Sequence, residues 1–155
     1  MPAFTIRRLG PGDSAALERL AQDETDFTDE PPSPPLTPDA ADAYLRDPGV
    51  WHWHAEDTSG APVGFLMAYV HRRRHGEPLD VMFEEIGVRR AWRRLGVGRA
   101  LVRTLHAKMQ AHGIGSVWVA ADNEDARAFY EACGYELDEL QGVILSREVQ
   151  LGTLI

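Results

Sequence analysis

Residues Glu84 to His112 read EEIGVRRAWRRLGVGRALVRTLHAKMQAH, and the reading of this stretch decides the fold. It starts as an apolar strand with two adjacent carboxylates, turns through a segment rich in arginine and glycine, and continues as a long helix. Within the helix Val97, Leu101, Leu105 and Met109 recur at steps of four, and Ala100 and Val102 widen that apolar face. A helix that opens from a glycine-rich turn presents N–H groups with no helical acceptor, and its dipole adds partial positive charge. Arg89, Arg90, Arg93, Arg94 and Arg99 crowd the turn. The stretch therefore predicts a site for a phosphate-bearing ligand, with Glu84 or Glu85 one strand-length away.

Working outward, Leu79 to Val88 completes the strand that feeds this turn. Before it, Val50 to Glu56 and Val63 to Tyr69 form a predicted hairpin around Asp57 to Gly60, and residues 71–78 make a polar loop. At the N-terminal side, Phe4 to Leu9 is a strand broken by Gly10-Pro11-Gly12, and Asp13 or Ser14 caps a helix through Leu20. Five carboxylates follow between Asp23 and Glu30, then a loop containing Pro31, Pro32, Pro34 and Pro35. Thr37 or Asp39 caps a short helix to Arg46, with Pro38 in its first turn. Downstream, Gly113 ends the long helix, Val117 to Ala121 is a strand, and Asn123 to Cys133 is a helix ended by Gly134. Tyr135 to Leu140 and Val143 to Val149 complete the pattern as a final strand pair. This alternation predicts an α/β (α+β) domain with a mixed sheet.

The 155 residues suit one domain spanning 1–155, and 44% apolar content is ordinary for a folded chain. The net charge of −8 argues against general binding to nucleic acid or an anionic membrane surface. No run is long enough to span a bilayer, and the N-terminus lacks the apolar centre of a signal peptide. Cys133 is the single cysteine, so no intrachain disulfide forms, in keeping with a reducing, cytoplasmic setting. His52 and His54 share a strand face but have no evident third ligand, so no metal site is expected. Trp51 and Trp53 alternate with them and read as packing residues.

Two motifs together carry a family resemblance. Arg93-Arg94-Leu95-Gly96-Val97-Gly98, following a strand and opening a helix, is similar to the pyrophosphate-binding loop of the GNAT superfamily of acetyl-CoA-dependent N-acetyltransferases. Asn123, Ala126, Phe129 and Tyr130, with Gly134-Tyr135 after the helix, resemble that family's second motif, at the expected separation. The resemblance implies a mixed, mostly antiparallel sheet flanked by helices on both faces, with acetyl-CoA lying where two parallel strands splay. It implies that Ile86, Gly87 and Val88 offer main-chain groups to the pantetheine arm. Arg93 to Arg99 would hold the phosphates, and Asn123, Ala126 and Phe129 would also contact the donor. The family usually carries a larger residue where Gly87 stands, and a glycine in a strand marks a bulge or a close backbone approach.

The implied reaction asks for two groups. An alkyl amine with pKa near 10 is almost wholly protonated at neutral pH, so a base must take its proton. By resemblance that base is Glu84, with Glu85 as the alternative. Glu84 shares a face with Ile86 and Val88 if the strand is regular. Tyr130 corresponds to the family tyrosine that donates to the departing sulfur, and its ordinary pKa keeps it protonated. The acceptor expected is a small cationic amine, drawn by the acidic segment Asp23 to Glu30, which the resemblance places where the acceptor site is shaped. Acetylation of protein N-termini or lysines, and a non-catalytic acyl-CoA sensor, are the alternatives. Members of the family are often homodimers.

Overall fold

The computed structural model describes residues 2–138 and 144–152. The chain divides into two units, residues 1–121 and 122–155. The first contains β1 (Phe4–Arg8), α1 (Ser14–Gln22), α2 (Pro38–Arg46), β2 (Val50–Asp57), β3 (Pro62–Arg72), β4 (Leu79–Val88), α3 (Val97–Ala111) and β5 (Val117–Trp118). Single 3-10 turns at Glu24–Asp26 and Arg90–Trp92 flank the longer elements. The second unit contains α4 (Glu124–Ala132).

The five strands lie in sequence order, with β1 to β4 antiparallel and β5 parallel to β4. Helix starts follow local chemistry. Thr37 accepts the Ala40 N–H at the head of α2, with Pro38 in the first turn. Asp13 precedes α1 without capping it by its side chain. Its carboxylate accepts the Gly10 N–H instead and pairs with Arg7.

Register sorts the side chains onto two faces. Trp51, Trp53 and Ala55 lie opposite Ala68, Leu66 and Gly64, which in turn meet Phe83, Ile86 and Val88. This face packs on α3. A Cβ at Gly64 would stand 2.8 Å from Cγ1 of Val97 and 3.3 Å from Cδ1 of Leu101. Val97, Leu101, Val102, Leu105 and Met109 are buried, as the four-residue spacing predicts. Trp51 and Trp53 are packing residues here, and the ring of Trp51 also receives the Lys108 ammonium at 5.1 Å.

The opposite face carries His52, His54, Phe65, Met67 and Gly87. It lies under α2 and the turn after α1: Tyr44 Oη is 2.9 Å from His52 Nδ1, and the Phe27 ring meets Phe65 edge-on at 5.7 Å. Helices on both faces of a mixed sheet are the architecture expected.

One expectation fails. Residues 135–138 and 144–149 form no strand, and residues 139–143 of the expected final pair lie outside the described residues. Alternation of apolar and polar residues is a weak strand signal without a partner edge, and Ile144, Leu145 and Val149 stand exposed.

Candidate active site

Among the described residues, β4 and β5 are joined at Val81 with Val117 and Met82 with Trp118 and at no other pair. Beyond that point β4 runs on to Val88 while β5 stops, so the two parallel strands part. The Arg89 N–H bonds to the Val63 carbonyl, which sets the alternation of main-chain groups along β4. Antiparallel pairing then turns the N–H and C=O of Ile86 and Val88 away from β3, toward the opened side. The Val88 carbonyl is already engaged there by Arg93 Nε at 3.1 Å. Gly87 pairs regularly with Phe65 and is no bulge. It is a close approach, since a Cβ there would lie 2.5 Å from Cε1 of Phe65.

The irregularity sits at the carboxylates. Met67 pairs with Glu85 and Ala68 with Phe83, so Glu84 is the extra residue of a β-bulge. The regular alternation that would place Glu84 with Ile86 and Val88 is therefore broken. Ile86 stays on the α3 face through Leu66, whereas Glu85 shares a row with Met67 and His52 on the α2 face. Glu84 and Glu85 both act electrostatically on Tyr44 and Tyr69, which lie on that same side. The bulge thus leaves Glu84 without a register partner on β3, next to Glu85. Glu84 is exposed and Glu85 is half-buried.

The turn before α3 has left-handed backbone at Arg94 (φ 63°) and at Gly96 (φ 87°). Alternating handedness of this kind aims successive N–H groups into one concavity, which suits an anion. Among the described residues, no side chain caps α3. Its first bond is from the Ala100 N–H to the Gly96 carbonyl, so Val97, Gly98 and Arg99 have no helical acceptor. Val97 is buried on the sheet, while Leu95 and Gly98 are half-buried.

The arginines separate into two groups. Arg89 bonds Asp26 and Asp23, each at 3.1 Å, and the Pro62 carbonyl, and it lies over the Phe27 ring. Arg90 pairs with Asp29 at 2.6 Å, and Arg93 reaches the Phe27 carbonyl at 3.2 Å. These three tie the segment after α1 to the end of β4. Among the described residues, no ion pair or side-chain hydrogen bond engages Arg94 or Arg99. Those two are exposed beside the uncapped helix start. Asp23, Asp26 and Asp29 are thereby occupied by arginine, and Glu24 accepts the Ser33 N–H. The expected attraction of the acidic segment for a cation is thus largely neutralised within the fold.

In the second unit Asn123 caps α4 by accepting the Ala126 N–H at 2.8 Å. Tyr130 is the buried side chain of α4, with Phe129 and Tyr135 edge-on or tilted against its ring. Cys133 is half-buried at the helix C-cap.

A model of the acetyltransferase (GNAT) family matches residues 15–135. The chain belongs to the GNAT family. No curated protein matches the sequence. Solved structures share the fold. An aminoglycoside acetyltransferase from an uncultured soil metagenomic sample is 21% identical with a TM-score of 0.79, covering 95% of this chain and 97% of that one. A ribosomal-protein-alanine N-acetyltransferase from Brucella melitensis biovar Abortus 2308 is 22% identical with a TM-score of 0.71, over 93% and 100%. The aminoglycoside N-acetyltransferase AAC(6')-Iy, in complex with CoA, is 18% identical with a TM-score of 0.70, over 94% and 99%. This GNAT protein is therefore an acetyltransferase by family, and the family draws its acyl group from acyl-CoA.

Sequence reasoning gave no role to Tyr44 or Tyr69, which lie with His52 on the side of the sheet that carries Glu85. Strand parity alone assigns them to no site. Only the pairing of His52 with Met67, and of Met67 with Glu85, brings them together.

Proposed function

We propose that this protein transfers the acetyl group of acetyl-CoA directly to a small cationic amine. The observation that supports the reading is the register shift at Glu84, beside Glu85, on the strand that parts from β5. An amine entering there is drawn by that pair rather than by the acidic segment after α1. One carboxylate, Glu84 or Glu85, takes the amine proton. The freed nitrogen attacks the thioester carbonyl, whose oxygen accepts the Val88 N–H as charge develops on it. The C–S bond then breaks; by the family resemblance the Tyr130 hydroxyl gives its proton to the leaving thiolate, and the second proton of the nitrogen, released through solvent, restores it. The uncapped start of α3, with Arg94 and Arg99, holds the phosphates, and the outward main-chain groups of Ile86 and Val88 align the pantetheine amides. Gly87 lets Phe65 close on the strand behind them. No covalent acyl-protein step is needed, and Cys133 has no chemical role.

The test is a thiol-release screen with acetyl-CoA across polyamines, amino acids, aminoglycosides and peptides bearing a free N-terminus. CoA release with a small polycationic amine is the expected result. Release only with peptides would move the acceptor to proteins. Binding of acetyl-CoA without release under any amine would make the protein a sensor.

A further inference from the structure

A separate cavity of about 200 Å³ is lined by α1, β1, β2 and the turn into β3. That is room for about six waters, or for a molecule the size of alanine or serine. Among the described residues, its lining takes nothing from β4 or from the turn before α3. Ala15, Ala16 and Arg19 lie within one turn of α1, so their side chains share the helix face that borders the space. From the sheet come Arg7 and His54, which stand opposite each other in the register of β1 and β2, and Glu56 two residues further along β2.

Three polar groups border this space with bonding capacity left over. His54 is 1% exposed, yet its Nε2 is buried with no hydrogen-bond partner. A buried polar atom left unpaired costs stability, and a molecule in the cavity can complete it. Glu56 engages Arg7 through one oxygen: Oε1 accepts Nε at 3.1 Å and Nη2 at 2.8 Å, and among the described residues Oε2 has no partner. Arg7 is occupied on its other side by Asp13 at 2.9 Å. Arg19 is the opposite case, since among the described residues no ion pair or side-chain hydrogen bond engages it. The carboxylate whose charge it feels, Asp57, gives Oδ1 to Ser59 and Ala61 of its own turn.

The lining therefore offers a free guanidinium from α1 and, from β2, a free carboxylate oxygen with an imidazole beside it. Ala15, Ala16 and Pro62 add small apolar surface. An anion alone would meet Glu56, and a cation alone would meet Arg19 and Arg7. A small molecule that carries both charges complements the whole lining. We propose that this cavity binds a small free α-amino acid, with its carboxylate on Arg19 and its ammonium on Glu56 Oε2 and the His54 ring. Its short side chain lies against the two alanines and Pro62. Burial, against the pull of Glu56, keeps the imidazole neutral, so it can accept from an ammonium N–H without adding a like charge. This site is distinct from the one that transfers acetyl, and it does not depend on that reading.

The experiment is an NMR titration of the full chain, without acetyl-CoA, with L-serine, L-alanine, acetate and ethylamine in turn. The ring resonances of His54 are followed, and their loss in His54→Gln assigns them. Both amino acids should give saturable shifts, with acetate and ethylamine each about tenfold weaker or more. Arg19→Ala breaks no ion pair or side-chain hydrogen bond among the described residues, and should weaken serine about tenfold. Ala15→Leu, at an exposed position of α1, narrows the space and should weaken serine as well. No saturable shift of the His54 ring with either amino acid would overturn the proposal, as would acetate or ethylamine binding as tightly as serine. Serine affinity kept in both α1 variants but lost in Glu85→Gln would place the amino acid at the proposed acceptor site, and would overturn the separate site while leaving the acetyl-transfer reading in place.

Discussion

A methyl group added at Gly87 would stand 2.5 Å from Cε1 of Phe65 and 3.2 Å from Cβ of Phe27. Both rings are buried, so neither can swing clear without opening the core. Gly87→Ala should cost about 1–3 kcal/mol by overpacking, read from urea denaturation, and an unchanged midpoint would contradict the close approach. The arginines make a second residue-scale test. Their sequence spacing made all five look like phosphate ligands, and only side-chain geometry separates them. Arg89→Ala removes a guanidinium that bonds two aspartates and a carbonyl, and should lower stability by about 1–3 kcal/mol. Arg99→Glu breaks no ion pair or side-chain hydrogen bond among the described residues and should leave stability within about 0.5 kcal/mol, while weakening CoA binding about tenfold or more. Calorimetric affinity and denaturation on both variants check this. A CoA affinity unchanged in Arg99→Glu would remove that arginine from the phosphate site.

At the scale of elements, most of the fold was legible because each start and stop has its own chemistry. Thr37 and Asn123 cap their helices as their types predict, and the step of four from Val97 to Met109 is the buried face of α3. What stayed hidden depends on pairing. The bulge at Glu84 exists only relative to β3, and nothing in the string EEIG marks which residue is extra. The same holds for β2, whose sequence Trp-His-Trp-His announces two faces but not that the histidine face is buried as fully as the tryptophan face. That burial has a consequence for pH. His52 is held down to about 3 and His54 to about 4 from the ordinary 6.5, in both by loss of water first. Above pH about 6.5 neither the folded nor the unfolded chain protonates them, and stability is complete in this respect. As pH falls through that value the unfolded chain takes up protons that the fold refuses. Stability should then drain by about 1.4 kcal/mol per pH unit for each histidine, down toward the folded values. The urea midpoint should therefore drop between about pH 7 and about pH 5, and the drop should shrink in His54→Gln. A midpoint flat across that window would contradict the burial of neutral histidines.

For the whole molecule, the sheet order, the parting of β4 from β5 and the start of α3 are the features from which the proposed thioester site is built, and the family uses acyl-CoA as its donor. Among the described residues, no helix is long and apolar enough to cross a membrane. The proposed donor side was readable in sequence because it is contiguous backbone, Ile86 to Arg99. The side that carries Glu85 was not, because its residues come from α2, β2, β3 and β4 and converge only in three dimensions. The acidic segment looked like the acceptor's attraction and proved instead to be the partner of Arg89 and Arg90. Replacing the base should lower kcat/KM by about 10²–10⁴, in whichever of Glu84→Gln and Glu85→Gln carries the role, with acetyl-CoA affinity kept. Steady-state kinetics of both variants decides between them. The central claim is direct transfer from acetyl-CoA to a small cationic amine. It is tested most directly by a single turnover with protein in excess over acetyl-CoA, followed by intact mass of both the protein and the amine. One acetylated amine should appear for each CoA released, at the same rate, with the protein's mass unchanged throughout. CoA release with the acetyl group found on the protein, or with no acetylated amine at all, would contradict the account.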